Sequence, residues 1–162
     1  MGEARKRQPK VQDQAFSELA QMFTNFPDDP TPGSELLHKS NLDFSVKSLV
    51  VVDKHLAKMR RKKLENENLT KFVLRCGAYV GEVVRRHARS KTWHWLDFES
   101  ASKLSKDFVN YGKCLPTVAV LWDGEEGFCF PLGKVIKYLE NGSGDSVQGF
   151  ASVMVDMKPE DF

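Results

Sequence analysis

The sequence predicts an α+β fold, about five helices packed on a small antiparallel β-meander of roughly three strands. Three observations lead there. Apolar residues recur with the period of an amphipathic helix through the first half of the chain. After Arg89 that period gives way to runs of β-branched and aromatic residues. Between two of those runs, Asp123-Gly124-Glu125-Glu126-Gly127 has the length and composition of a hairpin connection.

The chain has 162 residues, which suits one core. The expected division is a flexible basic tail at 1–12, a single domain at 13–157 and a short tail at 158–162. With 41% apolar and 28% charged residues, the composition is globular and not that of a disordered chain.

The first helix is expected from Asp13, with Phe16, Leu19, Ala20 and Phe23 at i, i+3, i+4 and i+7, stopping near Phe26. The following Pro27–Ser34 stretch, with three prolines and a glycine, cannot continue it and reads as an ordered loop. Asp43 or Ser45 then offers a cap for a second helix over about 46–62. Its Leu49, Val52, Leu56 and Met59 share one face; Lys47, Lys54, Lys58 and Arg61 share the other. Val50-Val51-Val52 favours strand locally, but the two-faced period runs on for three turns and argues helix.

Asn66 or Asn68 caps a third helix over about 69–88. Its apolar stripe is wide enough to make it central. Gly77 and Gly81 lie one turn apart, each costing about 1 kcal/mol relative to Ala in a helix interior, which signals another element packed closely against them. Strands are expected at 92–96, 117–122 and 128–130. Residues 97–115 carry the weakest pattern, a short helix followed by a loop. Pro131 opens a further helix that stops at Asn141-Gly142, and Asp145 or Ser146 caps a last one through Val155.

The charges are asymmetric. Residues 1–122 hold 21 basic and 14 acidic side chains and residues 123–162 hold 3 and 8, together the 24 and 22 of the whole chain. A basic body therefore precedes an acidic C-terminal quarter. Lys54, Lys58 and Arg61 mark the basic surface, and Arg5, Lys6, Arg7 and Lys10 add to it from the tail. Without a helix-turn-helix, zinc-finger or aromatic RNA-binding signature, this charge supports nucleic-acid binding only as an alternative.

Candidate binding residues are Tyr79, Glu82, Arg86, His87, Trp93 and Trp95. Glu82 has Arg86 at i+4, the orientation that stabilises a helix as a surface ion pair, with Arg75 on the same polar face. His87 falls in the apolar stripe at the end of its helix. Trp93 and Trp95 point to one side of their strand and His94 to the other, which suits core packing or a ligand-stacking face. No metal-ligand spacing, nucleophile elbow or phosphate loop is present, so no catalytic residue, metal or cofactor is expected. The three cysteines are odd in number and far apart, as in a chain that keeps its thiols reduced. No apolar run reaches the length of a membrane span and no signal sequence is recognisable, so a cytoplasmic location is expected.

Three motifs, Leu42-Asp43-Phe44-Ser45-x-x-Ser48-Leu49-x-x-x-Asp53, Gly77-Ala78-Tyr79-Val80-Gly81-Glu82-Val83 and Pro131-x-x-Lys134-Val135-x-Lys137-Tyr138-Leu139-Glu140-Asn141-Gly142, resemble those of a group of uncharacterised bacterial proteins. The resemblance covers about residues 42–155 and implies a bacterial cytosolic domain of unassigned function. The sequence thus points first to a non-enzymatic interaction or regulatory module, immunity-like, with an unknown protein partner. Nucleic-acid association is the alternative, and a small enzyme with its site near Glu82 and His87 is the third reading.

Overall fold

A computed structural model describes residues 9–156. Within them the α+β expectation holds, with more helices than expected: seven α-helices and one three-stranded antiparallel sheet. In chain order these are α1 (Asp13–Thr24), α2 (Leu49–Lys62), α3 (Asn66–His87), β1 (His94–Asp97), α4 (Phe98–Leu104), α5 (Lys106–Val109), β2 (Ala119–Trp122), β3 (Phe128–Cys129), α6 (Pro131–Asn141) and α7 (Val147–Asp156). The expected tail at 158–162 and residues 1–8 of the expected basic tail, with Arg5, Lys6 and Arg7, lie outside the described residues.

In the 97–115 stretch α4 is the short helix expected there, and α5 adds a four-residue helix where a loop was expected. Asp97 creates α4 by accepting a hydrogen bond from Ser100 N at 2.8 Å, a local cap. Helix α2 begins at Leu49, three residues later than expected. Asp43 and Ser45 spend their side chains on the turn before it, accepting from Ser45 N and Ser48 N.

The sheet has order β1-β2-β3 and pairs Trp95 with Leu121 and Leu121 with Cys129. That row faces the main core, with α3 at its centre between α1 and α6. The alternate row, through Leu96 and Val120, faces a second cluster built with Ala101 and Phe108 of α4 and α5. Helices therefore cover both faces, because Leu96, Val120 and Phe128 give the second face enough apolar surface to need a lid.

The two glycines of α3 mark the closest approaches, as their cost suggested. A Cβ on Gly81 would overlap the indole of Trp95 and lie 3.2 Å from Pro131 Cγ; one on Gly77 would lie 2.8 Å from Leu132 Cδ1. Strand β1 and the start of α6 can thus press onto α3 only because those positions lack side chains. Among the described residues no helix is long and apolar enough to cross a membrane.

Candidate functional site

The six candidate residues lie around the C-terminal half of α3, and Tyr79, Glu82, His87 and Trp95 among them are hydrogen-bonded through their side chains. Glu82 is 2% exposed, not on the surface as its spacing to Arg86 suggested. Its Oε1 accepts from Trp95 Nε1 at 3.0 Å and from Arg85 at 3.2 Å, and its Oε2 lies 3.7 Å from Arg86 Nε. Strand β1 crosses α3 at Gly81, one residue from Glu82, and so covers the carboxylate. Arg75, expected on the same polar face, is likewise buried and binds Asp29 and Thr31 of the proline loop.

Arg85 joins two carboxylates. Its guanidinium bonds Glu82, the Trp93 carbonyl and, at 2.9 Å, Asp13 of α1. Asp13 accepts in addition from Trp95 N at 2.6 Å and from His94 Nδ1 at 2.8 Å. Trp93 is buried, and its Nε1 has no hydrogen-bond partner among the described residues.

The other side of the cluster is organised by Phe44. Its ring lies under the Arg86 guanidinium at 3.7 Å and against Tyr79, its N–H donates to Tyr79 Oη at 3.0 Å, and its carbonyl accepts from His87 Nε2 at 2.8 Å. Tyr79 Oη also lies 2.7 Å from Ser48 Oγ. Burial, the largest influence, raises the Tyr79 phenol above its ordinary value, so it stays protonated. His87 is exposed at its ring's outer side, not packed in the apolar stripe, because it falls in the last turn of α3, past the helices that cover the stripe.

These contacts give the motifs a physical meaning. Asp43, Ser45 and Ser48 shape the approach to α2; Tyr79 ties that approach to α3; Gly77 and Gly81 admit Leu132 and Trp95. Asp53 accepts from Ser146 Oγ, Val147 N and Gln148 N at 2.6, 2.8 and 3.3 Å, capping α7 from α2. Sequence reading missed Asp13, Phe44, Asp53 and Arg85 as organisers, since each acts on a residue 30 or more positions away or through a neighbour's backbone. The arrangement orients structure: the Glu82 carboxylate is buried and engaged by Trp95, Arg85 and Arg86. Among the described residues no three His, Cys, Asp or Glu side chains are grouped to hold a metal ion.

Open space lies elsewhere. A cleft of about 680 Å³ runs between the 111–117 loop, the sheet edge at β3 and the α6–α7 pair. Tyr111, Phe128, Phe130, Phe150 and Met154 line it, and Lys134 and Lys137 stand on its rim. The rings are ordered by packing: Tyr111 meets Phe130 edge-on at 5.7 Å, and Phe108 stacks beneath Phe130 at 6.1 Å. Tyr111 remains 63% exposed and neighbouring Val109 53%. The Cys129 thiol in the cleft lining is pushed up by burial and stays protonated. Lys134 holds Asp145 at 2.9 Å, and that hydrogen bond keeps the Asp145 carboxyl below its ordinary value.

The chain matches no family model, no curated protein and no solved structure.

Proposed function

We propose that the chain is a non-enzymatic protein-interaction or regulatory module, immunity-like, working in the bacterial cytosol. It captures a partner segment in the aromatic cleft beside β3. The observation that supports this reading is the cleft itself: aromatic walls at a sheet edge, with Tyr111 exposed in the middle of an apolar patch. Exposed contiguous apolar surface is costly to keep in water and marks interaction sites. Aromatic side chains are the usual anchors of such contacts, since they offer large rigid area at little entropic cost. Lys137 on the rim favours an acidic residue flanking an apolar anchor in the partner, Lys134 being held by Asp145.

The test is affinity capture from a bacterial host with the intact chain, with Tyr111→Ala and with Lys137→Glu, both substitutions at exposed positions. A stoichiometric partner held by the intact chain and released by both variants supports the cleft. A partner retained equally by all three would remove the cleft from the reading, and recovery of none would remove the module reading itself.

Nucleic-acid association is the second reading, favoured by the exposure of Lys54, Lys58 and Arg61 along one face of α2. It requires binding of generic DNA or RNA that weakens steeply with salt as phosphate contacts release counterions. A flat salt response would dismiss it.

A further inference from the structure

A second cavity, of about 450 Å³, opens between α2 and the loop carrying the turns Ser34–Leu36 and Lys39–Asn41. Lys54, Lys58 and Arg61 border it at i, i+4 and i+7 of α2, Leu36 and Val51 form apolar wall, and His55 lies at its floor. Two independent features of this cavity call for a ligand.

The first is His55. It is 2% exposed, and neither ring nitrogen has a hydrogen-bond partner among the described residues. A neutral imidazole carries one donor and one acceptor, and buried polar atoms are ordinarily satisfied. Packing does not require the histidine, because its ring sits between Phe23 and Phe72, at centroid distances of 6.3 and 5.8 Å, where an apolar side chain would serve.

The second is the charge around the mouth. Three cations stand on successive turns, and Glu35, the nearby carboxylate, is held by Lys62 at 3.2 Å. Among the described residues Lys58 reaches the Leu36 carbonyl, at 3.5 Å. The positive field extends to the floor: the His55 imidazole is held down to about 4, by burial first and by the Lys58 charge next.

We propose that this cavity binds an organic phosphate monoester. Its phosphate lies on Lys54, Lys58 and Arg61, its organic body rests against Leu36 and Val51, and one of its oxygens accepts the N–H of His55. Three cations suit a dianion, and Arg61 supplies the planar fork that phosphate oxygens match. The volume is in the range of about 300–1,000 Å³ typical of small-molecule sites and leaves space beyond a phosphate group. Nucleic-acid backbones present the same phosphate chemistry, but as a diester with chain on both sides, which suits an open face better than a floor at His55.

The test titrates the full ¹⁵N-labelled chain with phenyl phosphate, inorganic phosphate and a single-stranded oligonucleotide. Phenyl phosphate is expected to saturate, to shift the His55 ring nitrogen resonances, and to bind at least tenfold more tightly than inorganic phosphate. The Lys54→Ala/Arg61→Ala double variant, changed only at exposed positions, is expected to bind at least tenfold more weakly with an unchanged circular dichroism spectrum. Equal affinity for inorganic phosphate would overturn the organic body. An oligonucleotide that shifts the His55 nitrogens as phenyl phosphate does would assign the site to nucleic acid instead. No saturation at millimolar phenyl phosphate, or saturation that leaves those nitrogens unmoved, would overturn the site.

Discussion

The carboxylate of Glu82 accepts the indole hydrogen of Trp95 at 3.0 Å, joining the central helix to the first strand inside the core. Two arginines complete its shell, and Gly81 beside it makes the approach of the indole possible. A buried charge is tolerated only when its hydrogen bonds are filled, so this contact binds the helix, the strand and the Arg85 network into one unit.

Glu82→Ala leaves Trp95 Nε1 without its acceptor in a buried setting and leaves Arg85 to Asp13 and the Trp93 carbonyl. The expected loss is about 1–3 kcal/mol, the usual cost of leaving a buried donor without its partner. Glu82→Gln keeps an acceptor for Trp95 and is expected to lose about half as much. Urea unfolding of the two variants checks this; equal and small losses would show that the network does not hold the fold.

Gly81→Ala sets two effects against each other. Alanine gains about 1 kcal/mol of helix propensity, while its methyl group overlaps the rigid, fully buried Trp95 ring. Overpacking of this kind costs about 1–3 kcal/mol, so a net loss is expected, with a change in Trp fluorescence. Gly144→Ala, where nothing lies within 4 Å of the added Cβ, is the matched control and is expected to leave both readouts nearly unchanged.

Asp53→Ala removes the acceptor that holds the first turn of α7. Ser146 still caps Gly149 N at 3.1 Å, so the expected loss is about 1–2 kcal/mol and is concentrated in α7. Amide exchange is the measurement: faster exchange through 147–156 with α3 unchanged is the expected pattern, and uniform acceleration over the chain would contradict a local cap.

Stability is expected to fall as pH drops from about 6.5 toward 4. The His55 imidazole titrates at about 4 when folded and near its ordinary 6.5 when unfolded. Within that window the unfolded chain binds the extra proton, so acid favours unfolding; above 6.5 the contribution is fully present, and it is lost as pH falls through about 4. The difference corresponds to about 3 kcal/mol. His55→Leu is expected to flatten this part of the stability profile, and an unchanged slope in the variant would assign it to other groups.

Much of the fold was legible because it follows from local pattern. The two-faced period identified α2 despite its three valines, the Asp123–Gly127 turn placed β2 beside β3, and the cost of Gly77 and Gly81 announced a close contact without naming Leu132 or Trp95. Of the short pair, α4 was legible only as a short helix without bounds and α5 was not legible, since four to seven residues carry too little period. The placement of Glu82 was misread, because spacing along a helix shows which residues share a face and not what covers that face.

Sequence alone therefore determined which of the longer segments are helix or strand, which of their faces are apolar and where the chain turns between them, all properties of residues within a few positions of one another. Tertiary structure alone decided that β1 lies across Gly81 and buries Glu82, that Asp53 caps a helix 94 positions away, and that His55, beneath three cations, has no hydrogen-bond partner among the described residues. Those facts depend on which surfaces meet. A hydrogen bond or a buried charge takes its energy from what surrounds it, and that surrounding is set by distant parts of the chain.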